Sequence, residues 1–136
     1  MDQATARAHF VSSRVADLAT VDESGRPHVV PITFAIAADT IYFAVDQKPK
    51  RTTELKRLSN IERNPHVAVL VHHYAEDWRS LWWARADGAA RVLGDDAETA
   101  RAIKLLVERY AQYRDAAPGG PVVAINIERW SGWSFT

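Results

Sequence analysis

The sequence predicts a mainly β protein, an antiparallel barrel with accessory helices (α+β), from three observations. Apolar residues alternate with period two through residues 29–36, 41–45 and 123–127. The polar cluster Asp22-Glu23-Ser24-Gly25 and the short Ala37-Ala38-Asp39 join the early strands by tight turns, which only antiparallel neighbours allow. Strands and helices do not alternate regularly, which excludes a doubly wound parallel sheet. At 136 residues, 47% hydrophobic and 25% charged, the chain has the length of one domain, 1–136, and enough apolar mass for a core. Bulk disorder is excluded by the same arithmetic.

The elements follow in order. The first dozen residues read as a short helix favoured by Ala4, Ala6 and Ala8, without a clear apolar stripe. Val15, Leu18 and Val21 begin a three-strand meander. Its second strand sets Val30, Ile32, Phe34 and Ile36 against Val29, Pro31, Thr33 and Ala35, and its third carries Ile41, Phe43 and Val45. Pro31 cannot donate a ladder hydrogen bond, so its position is an edge, a bulge or a break. A helix then starts at Thr52 or Thr53, with Leu55 and Leu58 as a narrow apolar edge, and Asn64-Pro65 closes it. The nearly continuous apolar run 66–74 predicts a central strand buried on both faces. Residues 80–93 read as another strand, interrupted at Asp87-Gly88. Asp95 and Glu98 stand at capping-box spacing before Ile103, Leu106, Val107 and Tyr110, the clearest helix of the chain. Residues 116–121 stop it, and Val123, Ile125 and Ile127 mark a last strand.

Charge and composition remove several function classes. Lys plus Arg equals Asp plus Glu, 17 against 17, so no global field draws a nucleic acid or an anionic membrane. Cysteine is absent, which excludes disulfides, thiolate metal sites and cysteine nucleophiles. The start has no signal-peptide order and no run reaches membrane-span length, so a soluble cytoplasmic protein is expected, with neither a nucleic acid nor a membrane as partner.

Two features point to binding chemistry. Between Asp46 and His66, six cations (Lys48, Lys50, Arg51, Lys56, Arg57, Arg63) face three anions (Asp46, Glu54, Glu62), a segment of +3 in a neutral chain. Lys48, Lys50 and Arg51 gather at a helix start, where the macrodipole favours acidic residues instead. Free N–H groups, Thr hydroxyls and three cations there suit an anion such as phosphate; the plainer alternative is a solvated helix face. Five Trp are the second feature, three of them between residues 78 and 83. On a strand Trp82 and Trp83 point to opposite faces, so one is left outside for a partner surface or a planar ligand. The five histidines show no metal-binding spacing, and adjacent His72 and His73 point apart, with packing preferred to proton donation as their role. Dinucleotide, P-loop and nucleophile-elbow motifs are missing, so no catalytic side chain stands out and a cofactor would carry any chemistry.

The segments GRPHVVPITFAI, TIYFAVDQKPKRTTELKRLSNIERNPHVAVLVHHY and DWRSLWWARADGAARV resemble the split β-barrel flavin and deazaflavin oxidoreductases, the superfamily that includes pyridoxamine 5′-phosphate oxidase. The similarity runs from about Arg14 to Trp133. KPKRT and DWRSLWW favour the actinobacterial branch of coenzyme F420-dependent enzymes. The resemblance implies a six-stranded antiparallel split barrel of the FMN-binding type and a homodimer with cofactor sites at its interface. It also implies hydride transfer between F420 and a conjugated organic substrate. FMN is the alternative cofactor, and a non-catalytic cofactor- or tetrapyrrole-binding barrel is the alternative function. Carried over, the phosphate-holding positions are Lys50, Arg51, Thr52, Lys56 and Arg57 with Lys48 nearby. The backbone along the ring is that of Val30, Pro31, Ile32 and Thr33, and Trp82 or Trp83 reaches the neighbouring subunit's site. The arginine-rich pyridoxal-phosphate motif of true pyridoxamine phosphate oxidases has no counterpart in ERWSGWSF, which argues against vitamin B6 oxidation.

Overall fold

The structure is a computed structural model that describes residues 1–45 and 52–136, with the side chains of 52–55 left out. Along the chain it forms α1 (Gln3–Ser12), β1 (Ala16–Val21), β2 (Pro27–Ile32), β3 (Ala35–Ala37), β4 (Thr40–Ala44) and α2 (Thr52–Arg63). Then follow β5 (His66–His73), a short 3-10 turn (Trp78–Ser80), β6 (Trp82–Val92), α3 (Ala97–Arg109), α4 (Ala111–Asp115) and β7 (Val122–Ser134). The strands make one seven-stranded antiparallel sheet in the order β2-β1-β5-β6-β7-β4-β3. This is the mainly β, split-barrel architecture the sequence predicts, with seven strands rather than six.

The extra strand comes from the meander's second strand, which divides. β2 and β3 lie at opposite edges of the sheet, and the chain passes between them through Thr33 and Phe34. Pro31 is not the break. It stays inside β2 opposite Asp17, on an edge strand where its missing N–H leaves the ladder to β1 intact.

The core fills the inside of the curled sheet. Leu18, Phe34, Ile41, Phe43, Val69 and Ile125 are fully buried there. α1 is capped by the Asp2 carboxylate, which accepts from the Thr5 N–H at 2.8 Å. It contributes Ala6 and Phe10 to the core, and Phe10 packs edge-on against Phe34 (6.1 Å) and Trp130 (5.3 Å). A smaller layer joins α3 to the outer face of β4 and β7 through Tyr42, Ala102, Val122 and Ala124.

Three local expectations are corrected. β5 is central, between β1 and β6, and buries Val67, Val69 and Val71, but its other face stays half-open at Ala68 and Leu70, where no helix among the described residues covers it. β6 runs unbroken through Asp87-Gly88; the disturbance there is a register shift against β7, where Glu128 is the unpaired residue. Asp96, not Asp95, caps α3 by accepting from the Thr99 N–H at 3.0 Å. Glu98 is thereby freed from the box, and pairs with Arg91 (2.9 Å) and the Tyr42 hydroxyl (2.8 Å).

Candidate functional site

The β1–β2 hairpin and α2 form one end of the candidate site. The Asp22 carboxylate closes the hairpin by accepting from the Ser24 N–H, the Ser24 hydroxyl and the Arg26 N–H, each at 2.9 Å. These bonds, the Arg26 N–H foremost and then the Ser24 hydroxyl, hold its carboxyl below the ordinary range. α2 is tied to this hairpin at three points. Lys56 Nζ lies 3.8 Å from Asp22, Arg63 pairs with Glu23, and the buried Asn60 amide donates to the Thr20 hydroxyl at 3.1 Å.

Of the basic positions expected to meet a phosphate, Lys48, Lys50 and Arg51 lie outside the described residues, and Thr52 opens α2. Lys56 is exposed and turned to Asp22. Arg57 is half-buried with its guanidinium 6.0 Å from the Phe43 ring centre. On the inward face of β2, His28 stands opposite Thr20, and its buried Nδ1 meets no hydrogen-bond partner among the described residues. A cationic helix turn fixed against this hairpin suits an anionic group.

β2 runs from that end to the break. Val30 and Ile32 face the core, opposite Leu18 and Ala16, and Pro31 and Thr33 are exposed. Among the described residues only β1 pairs with β2, so its other edge offers backbone groups with no strand partner there. Its six residues span about 17 Å. The Phe34 N–H donates to the Tyr110 hydroxyl (3.0 Å), and the Thr33 hydroxyl lies 3.2 Å from that of Tyr113.

The two tryptophans separate as expected. Trp82 turns inward and stacks on His9 at 3.8 Å, with His73 parallel at 6.2 Å. Trp83 faces outward into a groove of about 710 Å³ on the uncovered face of β2, β1, β5 and β6. Val29, Ala19, Ala68 and Leu70 give that groove an apolar floor, and His72 lies 3.7 Å from Asp17 at its side. Within the chain, Val30–Thr33 and the α2 cations share one strand's length, whereas Trp83 is reached only across the outer sheet face. Tyr110, Tyr113 and His28 escaped the reading of the sequence. Tyr110 occupies a helix-periodic position, which disguises a hydroxyl whose partners are 76 and 96 residues away.

Among the described residues no three His, Cys, Asp or Glu side chains gather as a metal site, and no helix is long and apolar enough to cross a membrane.

The fold recurs in solved structures. The conserved hypothetical protein Rv2991 from Mycobacterium tuberculosis superposes with a TM-score of 0.78 at 21% identity, over 99% of this chain and 86% of that one. A FAD-binding protein from Mesorhizobium loti gives 0.72 at 21%, over 97% and 92%. HutZ, the heme storage protein from Vibrio cholerae, gives 0.73 at 18%, over 98% and 95%. No curated protein matches the sequence. The family described as pyridoxamine 5′-phosphate oxidase matches residues 3–134, nearly the whole length, and the chain belongs to that family.

Proposed function

We propose that this protein is an oxidoreductase that holds coenzyme F420 along β2 and transfers a hydride between it and a conjugated organic substrate. One observation carries the reading: an edge strand, unpaired on one side among the described residues, runs from a cationic helix turn to a break in the sheet. Family membership supports a redox cofactor on this barrel, and the KPKRT and DWRSLWW segments favour the deazaflavin.

Bound there, the cofactor would supply a hydride donor or acceptor at its ring. Lys56 and Arg57, with Lys48, Lys50, Arg51 and Thr52 preceding them in sequence, would hold the phosphate. The backbone of Val30–Thr33 would orient the ring, and the apolar outer groove would keep water from a substrate. The groove also favours a homodimer through this face. Beside it Val29 (61% exposed), Trp83 (37%), Trp133 (43%) and Phe135 (52%) are uncovered, far more apolar surface than a strand face in water should keep.

Fluorescence titration with F420 and, separately, FMN tests the assignment. Tight F420 binding with weak FMN binding is expected, and the double reversal Lys50→Glu/Arg51→Glu should abolish it without unfolding the chain. Preference for FMN would move the protein to the flavin side of the family, the reading that likeness to a FAD-binding protein favours. Binding of neither would leave a cofactor- or tetrapyrrole-binding barrel, which likeness to HutZ favours.

A further inference from the structure

The break between β2 and β3 is not left loose. The Tyr110 hydroxyl accepts from the Phe34 N–H (3.0 Å) and lies 2.9 Å from the carbonyl oxygens of both Phe34 and Arg14. Arg109 Nε donates to the same oxygen at 3.2 Å. A phenol has one proton and two lone pairs. Here the lone pairs take the two N–H groups, and the single proton is shared between two carbonyls. Both backbone groups of Phe34 are thus served by one side chain, where a neighbouring strand would otherwise serve them.

The surroundings fix the phenol itself. Arg14 and Arg109 lie 5.0 and 5.7 Å from its ring centre, and Arg109 also donates to the carbonyls of Val11 (3.1 Å) and Ser13. Tyr113 packs edge-on against Tyr110 at 5.8 Å, and its hydroxyl meets that of Thr33 at 3.2 Å. Two tyrosines, one ending α3 and one within α4, therefore grip two consecutive residues of the break: Tyr110 the main chain of Phe34, Tyr113 the side chain of Thr33. Phe34 is fully buried in the core, which anchors the chain next to Thr33.

We propose that Tyr110 and Tyr113 are positioning residues of the cofactor site: Tyr110 sets the backbone at the break, and Tyr113 sets the rotamer of the Thr33 hydroxyl presented to the cofactor ring. This rests on the reading that places the ring along Val30–Thr33. Neither tyrosine touches the cofactor. Tyr113 aims the Thr33 hydroxyl, and Tyr110 fixes the height at which it stands. Losing either hydroxyl changes affinity together with the electronic environment of the ring.

The test compares Tyr110→Phe, Tyr113→Phe, Thr33→Val and the pair Thr33→Val/Tyr113→Phe with the unaltered chain. Each is titrated with F420 and with FMN while the emission maximum of the bound cofactor is recorded. Thermal melting reports the fold, and hydrogen exchange at the Phe34 amide reports the break. Tyr110→Phe should speed that exchange and weaken binding about two- to tenfold, the range of one hydrogen bond. Tyr113→Phe and Thr33→Val should each shift the emission maximum, and the pair should do no more than either single change. Folded variants with unaltered affinity and emission would overturn the proposal, as would strictly additive effects in the pair. Should Tyr110→Phe fail to fold, the half-buried Tyr113 and exposed Thr33 decide the matter. If the unaltered chain binds neither cofactor, the cofactor reading falls first and the proposal with it.

Discussion

Lys56 Nζ lies 3.8 Å from Oδ2 of Asp22, on a carboxylate whose other oxygen closes the β1–β2 hairpin. The hairpin therefore sets where α2 presents its charge, and the same aspartate tempers that charge. Asp22→Asn keeps an acceptor for the turn but removes the counter-charge on Lys56. Titration with FMN at low salt should show binding tightened about two- to fivefold, an effect that fades at high salt. Weaker binding would mean that the hairpin's geometry outweighs its charge.

Glu98 joins three elements by accepting from Arg91 on β6 and Tyr42 on β4. The Arg91 guanidinium, and after it the Tyr42 hydroxyl, hold the Glu98 carboxyl below its ordinary value of 4.5. Burial first, and then Glu98, push the Tyr42 hydroxyl up. The unfolded chain thus binds the Glu98 proton at a higher pH than the folded one. Its contribution to stability is whole above about 4.5 and is lost as pH falls through the lower folded value. Melting curves of Glu98→Gln should fall below those of the unaltered chain at neutral pH and converge with them in acid.

Gly88 has no room for a side chain. A Cβ there would stand 2.3 Å from the main-chain oxygen of Asn126, at the register shift between β6 and β7. Backbone cannot yield as a flexible side chain can, so Gly88→Ala should cost about 2 kcal/mol or more in urea unfolding. A neutral result would show that the bulge relocates.

Ala38 carries a positive φ of 52° in the β3–β4 turn, where a Cβ crowds the following carbonyl. The side chain is exposed, and Arg7 Nε donates to its carbonyl at 2.9 Å, a bond that glycine retains. Ala38→Gly should therefore stabilise the chain by about 1 kcal/mol. A loss of stability instead would place the larger effect in the freedom glycine adds to the unfolded chain.

If the outer face of β2, β1, β5 and β6 joins two copies, a charge at its centre should separate them. Leu70→Glu would set a carboxylate on the apolar floor of the groove, beside Trp83 and away from the core. Light scattering should report half the mass of the unaltered protein, with an unchanged far-ultraviolet spectrum. Equal masses would remove this face as the interface.

Legibility followed the range of the interactions. The meander, the faces of Trp82 and Trp83, and the helix before Tyr110 were readable because period and turn chemistry act within a few residues. Pro31 lies on an edge strand, one of the places its missing N–H allows, whereas the break two residues later at Thr33-Phe34 has no local signal because Tyr110, far along the chain, holds it. The α3 cap slipped by one residue because Asp95 and Asp96 compete, and a partner on β6 claims Glu98.

The sequence by itself determined a cysteine-free, charge-balanced antiparallel barrel with a cationic helix start and a surplus of tryptophan, since composition and periodicity are properties of neighbours. Tertiary structure alone decided that β2 and β3 become opposite edges of one sheet, that Lys56 answers to Asp22, and that two tyrosines hold the chain between those edges. Those are contacts between residues dozens of positions apart. Only the closing of the sheet, which buries the core and brings distant hydroxyls within hydrogen-bond reach, creates them.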